Sequence, residues 1–278
     1  MGRVAIMGAA VVDNYVVLDE FPEEDSIAFA LESFRCPGGR GLNVALNLAI
    51  RGVEVDLHCA LGSDENGEKL YRVLREHGIT PKIRWVERTA ETLILVDSRG
   101  NRRIISLNGP PPKYSTGGGY SGGYDVIVVL ESQPDEAEKF LKGLEGFKVF
   151  SPGGCVFRFG VDLTRYLASL ADLTFLSRVE ADFLKDFQNL SEYVIVTRGK
   201  EPTLVFRKGV LFVEIPTIET ETVLDTTGAG DACLSGMVSA LIENTDIPSA
   251  VMKGHEWASR VITSYCANLS GIRLDHIP

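Results

Sequence analysis

This sequence predicts an α/β fold, a mostly parallel central sheet flanked by helices with a small β lid, on three observations. Short apolar runs at 4–7, 55–61, 126–130, 149–150, 173–176 and 194–197 alternate with stretches of helical spacing, the order expected of a parallel sheet covered on both faces. The helical stretches carry continuous apolar stripes, as at Leu42, Ala45, Leu46, Ala49 and Ile50, which pack on a core. Two early segments, 14–35 and 83–107, are strand-like and charged and interrupt the alternation, so they read as excursions out of the main body that form the lid.

The first run, 4–7, ends at Gly8 and continues through Val11, Val12 and Asp13 as a strand leaving a buried sheet. The helix carrying the Leu42 stripe opens at Gly38, Gly39, Arg40 and Gly41. A strand at 55–61, a helix over about 67–77 and a hairpin turning at 97–101 follow. The glycine- and proline-rich connection 108–123 reads as a mobile link or a loop over the site. Farther on, helices are expected near 135–146 and 179–187, a hairpin around Lys208 and Gly209, and long helices near 228–243 and 246–266. There is no internal repeat, and residues 1–278 are assigned to one domain.

Composition bounds the function. Hydrophobic residues at 45% and charged residues at 24% describe a globular chain with a substantial core. A formal net charge of −10 argues against a broad nucleic-acid or membrane surface, although an anion can still bind locally. No apolar run reaches the length of about 18 residues that a membrane span requires, and the first residues lack a signal-peptide core, so a cytoplasmic protein is expected. The five cysteines have no metal-ligand or paired spacing and read as buried free thiols.

The most informative stretch is Asp225-Thr226-Thr227-Gly228-Ala229-Gly230-Asp231-Ala232, followed by Leu234, Met237, Val238, Leu241 and Ile242 at helical spacing. Glycines at the entry of a buried helix expose N–H groups that lack intrahelical acceptors, and the helix dipole adds positive charge there. An anion such as a phosphoryl group is the natural ligand. Asp231 sets a carboxylate in the first turn, where it can accept a proton from a hydroxyl nucleophile. Taken alone, it reads equally as a favourable charge near a helix start. The third glycine of a dinucleotide fingerprint is missing, and no G-x-x-x-x-G-K-[ST] occurs.

This octet resembles the D-T-x-G-A-G-D signature of the ribokinase-like, or PfkB, carbohydrate kinases. The resemblance spans nearly the whole chain. Gly8 to Asp13 is similar to the family's first substrate loop, 38–45 to its N-terminal signature, and 61–67 to its V-G-x-D-x-x-G turn. It implies a kinase that transfers the terminal phosphoryl group of ATP, or a related nucleotide, to a hydroxyl of a sugar. The alternatives within the family are a nucleoside kinase, a sugar-phosphate kinase or a catalytically weak ligand-binding homologue. Asp231 is then the base, and the N–H groups of Gly228, Ala229 and Gly230 stabilise the transferred phosphoryl.

By the same resemblance Asp13, Gly39 and Asn43 bind the acceptor, and Glu131 occupies a place similar to a family substrate glutamate. Arg40, where many members carry lysine or a small residue, hints at an anionic substrate. Ser177 and Glu180 stand at an N-x-x-E motif in which serine replaces asparagine, with Glu180 organising Mg2+ through water. Thr197, Gly199 and Thr227 fall on the nucleotide side, and Asp225 with Thr227 would hold a K+-type ion. The lid is also a surface for pairing with a second copy.

Overall fold

The structure, a computed structural model, describes residues 2–107, 109, 112–114 and 120–277. Much of the 108–123 connection therefore lies outside the described residues. A nine-stranded sheet forms the body, in the order β13-β12-β11-β10-β9-β8-β1-β4-β5. Its strands are β1 (Arg3–Met7), β4 (Glu54–Gly62), β5 (Thr80–Val86), β8 (Gly123–Val129), β9 (Glu145–Phe150), β10 (Leu173–Ser177), β11 (Tyr193–Arg198), β12 (Glu201–Arg207) and β13 (Val210–Ile215). Pairing is parallel from β5 through β11. The hairpin β12–β13 closes one edge antiparallel.

Strand alternation divides the core in two. In β1, Val4 and Ile6 join one apolar cluster while Ala5 and Met7 join the other, because successive side chains point to opposite faces. The first face is covered by α1 (Arg40–Ala49), α2 (Glu65–Glu76), α7 (Ala229–Ile242) and α8 (Ile247–Val261). The second carries α3 (Pro134–Gly143), α4 (Cys155–Phe159), α5 (Val161–Ala168) and α6 (Arg178–Leu184). Strands buried on both sides read as unbroken apolar runs, which is why β1, β8 and β10 are visible in the sequence.

A separate four-stranded sheet, in the order β3-β2-β6-β7, stands beside the body. It consists of β2 (Val11–Val17), β3 (Glu32–Gly38), β6 (Glu91–Val96) and β7 (Arg102–Ser106). Its bounds differ from the expected 14–35 and 83–107. The sheet begins at Val11 and runs through Gly38, whereas residues 83–86 belong to β5 and pair with β4 in the main sheet. As an edge strand, β5 alternates between exposed and partly buried positions, and that half-wet pattern is what makes it resemble the lid strands.

Two of the cysteines correct the expectation of free thiols. Cys36 on β3 and Cys266 beyond α8 form a disulfide with Cα atoms 5.6 Å apart, while Cys59, Cys155 and Cys233 are free and buried. The partners are 230 residues apart, so no local spacing announces the pair. The pairing also reflects a helix that stops early: α8 ends at Val261 instead of near 266, and Cys266 sits at a φ of 70° in the following turns. The bridge joins an apolar cluster of Tyr15, Phe34, Ile94 and Val96 under the small sheet. Because it closes so long a loop, its reduction is expected to cost roughly 2–5 kcal/mol of unfolding free energy. Urea unfolding with and without reductant measures this, and superimposable curves would contradict it.

Candidate active site

A cleft of about 1000 Å3 opens between the small sheet and the C-terminal ends of the parallel strands, where open α/β sheets bind ligands. Its floor includes Asp13, Gly39, Arg40, Asn43, Glu131, Ser177, Glu180, Thr197, Thr227, Gly228, Gly230 and Asp231. The fold thus gathers residues that the chain spreads over more than two hundred positions. Gly199 falls in the turn after β11; Asp225 is buried and Ala229 partly exposed, and neither is part of the lining.

Gly228 caps α7 with a φ of 77°, a conformation that favours glycine. Any Cβ there would run into the carbonyl of Ala267. Beneath it the fully buried Asp225 braces the turn, its Oδ1 accepting from Thr227 N at 2.8 Å and Thr227 Oγ1 at 2.6 Å. The N–H groups of Gly228, Gly230 and Asp231 donate to no backbone acceptor among the described residues, whereas Ala229 N donates to Thr226 O at 3.3 Å. The expected set of anion donors is therefore incomplete at Ala229. Gly230 is open, with nothing within 4 Å of the position a Cβ would take.

Asp231 links α7 to α1. Its Oδ1 accepts from Arg40 Nε at 2.8 Å and its Oδ2 from Asn43 Nδ2 at 3.1 Å. Arg40 and Asn43 are three residues apart on α1 and share a face. The Arg40 guanidinium also donates to Ser151 Oγ at 2.8 Å and Ser151 O at 3.3 Å. Burial acts to lower the Arg40 pKa, but Asp231, Glu131 and Glu180 outweigh it and raise it above the ordinary value.

Asn268 was not visible as a site residue in the sequence. Its Nδ2 donates to Asn43 Oδ1 at 3.3 Å and to Pro37 O at 3.1 Å. This fixes the Asn43 amide with its nitrogen toward Asp231. Only an isolated asparagine after the last helix marked it, and nothing in its spacing pointed to the cleft.

Asp13 projects from β2 and is 4% exposed. Burial first, then the charges of Asp231 and Asp225, push its pKa up to about 7. The folded chain keeps that proton to about pH 7, while an unfolded one releases it near 3.8. Asp13 therefore makes the protein less stable as pH rises through that window. Glu131 follows β8, and its Oε1 accepts from Gly154 N at 2.9 Å. Burial raises the pKa of Glu131, opposed mainly by Arg40.

Ser177 and Glu180 form a capping box at the start of α6: Glu180 N donates to Ser177 Oγ at 3.4 Å and Ser177 N to Glu180 Oε2 at 2.8 Å. They hold each other in place before any ligand arrives. Thr197 Oγ1 donates to Leu176 O at 3.3 Å, tying β11 to β10.

Two features bear on cations. The second oxygen of Asp225 is buried without a partner, and so is the Tyr15 hydroxyl, whose pKa is raised by burial and then by Asp225 and Asp13. An orphaned carboxylate oxygen in a dry site suits a monovalent cation. Among the described residues no three His, Cys, Asp or Glu side chains cluster to hold a metal by themselves. Nor is any described helix long and apolar enough to cross a membrane.

The family model described as pfkB family carbohydrate kinase matches residues 1–116 and 167–272, and the chain belongs to that family. It is a phosphotransferase with a hydroxyl acceptor. A nucleoside kinase of Methanocaldococcus jannaschii is 22% identical over 94% of this chain and 91% of its own. The nucleoside kinase of Burkholderia thailandensis in complex with inosine has a TM-score of 0.81 at 17% identity, covering 96% of this chain and 94% of that one. A ribokinase from Cryptococcus neoformans in complex with ADP has a TM-score of 0.79 at 19% identity, covering 99% and 98%.

Proposed function

We propose that Asp231 takes the proton of a sugar or nucleoside hydroxyl as that oxygen attacks the terminal phosphorus of ATP. The new oxygen–phosphorus bond forms as the bridging bond breaks, and the electron pair leaves with ADP. One observation carries this reading: the Asp231 carboxylate stands in the cleft between the acceptor-side residues Asp13 and Asn43 and the open N–H groups of Gly228 and Gly230. Those N–H groups stabilise charge on the transferred phosphoryl. Arg40 neutralises Asp231 at rest, and protonation of that carboxylate frees the guanidinium for the phosphoryl oxygens.

Mg2+ bound to the nucleotide phosphates, with Glu180 acting through water, would offset their charge. Glu180 spends only Oε2 on its capping box. Asp225 and Thr227 are the residues that would hold a K+-type ion, which would firm the turn beneath Gly228. Thr197 and Gly199 flank the nucleotide, and Glu131 borders the acceptor.

Asp13→Ala and Asn43→Ala are expected to weaken acceptor binding by about tenfold or more with little change for nucleotide, since each removes hydrogen bonds to a charged or buried group. Calorimetry with an acceptor that is turned over, and with a non-hydrolysable ATP analogue, compares the two ligands. In the intact protein acceptor binding should release a proton near pH 7, because hydroxyl donors favour ionised Asp13. Equal losses for both ligands would move these residues out of the acceptor site.

The small sheet acts as a lid over the acceptor, excluding the water that competes as nucleophile. Hydrogen exchange in 11–38 and 91–106 should slow with acceptor more than with nucleotide alone. Ile27, Phe29 and Leu31 beside its β3 edge are 85%, 86% and 68% exposed. Pairing with a second copy there would make part of that protection depend on concentration. Unchanged exchange at saturating acceptor would contradict the lid.

A further inference from the structure

A chain of net charge −10 repels anions, yet besides Arg40 three arginines line the cleft: Arg88 between β5 and β6, Arg102 on β7 and Arg158 on α4. All three are exposed, and none makes a side-chain hydrogen bond or ion pair with another described residue, although Arg88 is near enough to Asp64 to help hold that carboxyl below its ordinary value. Half-buried arginines elsewhere pair with acids, as Arg35 does with Asp275 and Arg273 with Glu32. Arg40 is already committed to Asp231.

Strand geometry makes the placement of Arg102 specific. Arg102, Ile104 and Ser106 alternate along β7 and all line the cleft, whereas Arg103 lies over the Phe21 ring at 4.3 Å. Thr92 of β6 pairs with Ser106 on one side and with Asp13 on the other. The Arg102 strand is thus two strands from Asp13, on the acceptor wall. The donor-side residues Ser177, Glu180 and Thr197 come from β10, α6 and β11, across the main sheet.

No described acid of the cleft forms an ion pair with these three arginines. Asp231 is paired with Arg40, Glu131 and Glu180 accept backbone N–H bonds, and Asp13 is buried at the floor. Among the described residues only Glu87 remains as an exposed acid in the lining.

We propose that the acceptor carries an anionic group, a carboxylate or a phosphate, besides the hydroxyl that is phosphorylated, and that Arg88, Arg102 and Arg158 receive it. The guanidinium fork matches either group bidentately. The proposal rests on the kinase reading for the position of the hydroxyl, which lies at Asp13 and Asp231. The acceptor is then an anionic sugar: a sugar phosphate or a sugar acid.

Calorimetry on the full chain tests this with matched probes: fructose against fructose 6-phosphate, and glucose against gluconate and glucose 6-phosphate. At least one anionic probe should bind about tenfold or more tightly than its neutral partner. That preference should shrink in Arg102→Gln, with the neutral partner's affinity unchanged, and disappear in Arg102→Gln/Arg158→Gln. The gluconate and phosphate arms tell which anion is read. Both positions are exposed, so these variants should fold.

Equal affinity for neutral and anionic partners, no binding by any anionic probe, or equal losses for both partners in Arg102→Gln would overturn the proposal. So would competition of the anionic probe with a non-hydrolysable ATP analogue, which would assign the arginines to the donor. Turnover is read separately. Absence of phosphorylated product from every probe would count against the kinase reading, while the calorimetric preference would still decide the anionic group.

Discussion

Asp231→Asn is expected to lower kcat by on the order of 10²-fold or more, because it removes the general base while keeping the side chain's size. Asparagine offers one acceptor oxygen in place of two. Its amide nitrogen would face a donor, either Arg40 Nε or Asn43 Nδ2, which both point at this carboxylate now. The backbone is unaffected, since Ser235 Oγ bonds to Asp231 O, outside the side chain. Nucleotide affinity should stay within a few-fold, because the N–H groups at Gly228 and Gly230 remain. A kcat within a few-fold of the parent at saturating acceptor would remove Asp231 from the role of base.

Gly228→Ala should be about as damaging for a different reason. The φ of 77° is unfavourable for alanine, and the new Cβ would overlap the Ala267 carbonyl. Either the 226–230 turn or the chain around Ala267 must move, and with the turn go the N–H groups that meet the phosphoryl. Displacement of about 1 Å in such a site can cost roughly 10²-fold in rate, and nucleotide affinity should fall as well. Gly230→Ala provides the contrast in stability, because a Cβ there meets nothing. Thermal unfolding of the two variants separates them: Gly228→Ala should melt well below the parent and Gly230→Ala close to it. Indistinguishable melting would mean that the turn tolerates a side chain and that its glycine is not conformationally required.

The parallel body was legible because its strands are apolar on both faces and its long helices carry unbroken stripes, as in α1 and α7. The glycine entry to α7 was legible because few roles other than anion binding need Gly228, Gly230 and Asp231 together. Short elements were not. The helices α4 and α5 cover only 155–159 and 161–168, with Gly160 at a φ of 81° between them, too brief for a helical period to stand out. The second half of the edge strand β5, residues 83–86, reads as lid because its positions alternate like those of a half-wet strand.

Long-range pairings were the least visible. The contacts of Arg40 with Asp231, of Asn268 with Asn43 and of Cys36 with Cys266 join positions 191, 225 and 230 residues apart. Nothing local in the sequence specifies them. The capping box of Ser177 and Glu180 shows the opposite case: a local S-x-x-E pattern whose structural role accompanies the one that the family resemblance implies.

Incubation of the intact protein with ATP, Mg2+ and a panel of sugars, nucleosides, sugar acids and sugar phosphates tests the central claim most directly, with products followed by mass spectrometry. The account predicts ADP and a phosphomonoester of at least one acceptor in equal amounts, both lost in Asp231→Asn. Formation of ADP without any phosphorylated acceptor, or a phosphorylated acceptor undiminished in Asp231→Asn, would contradict it.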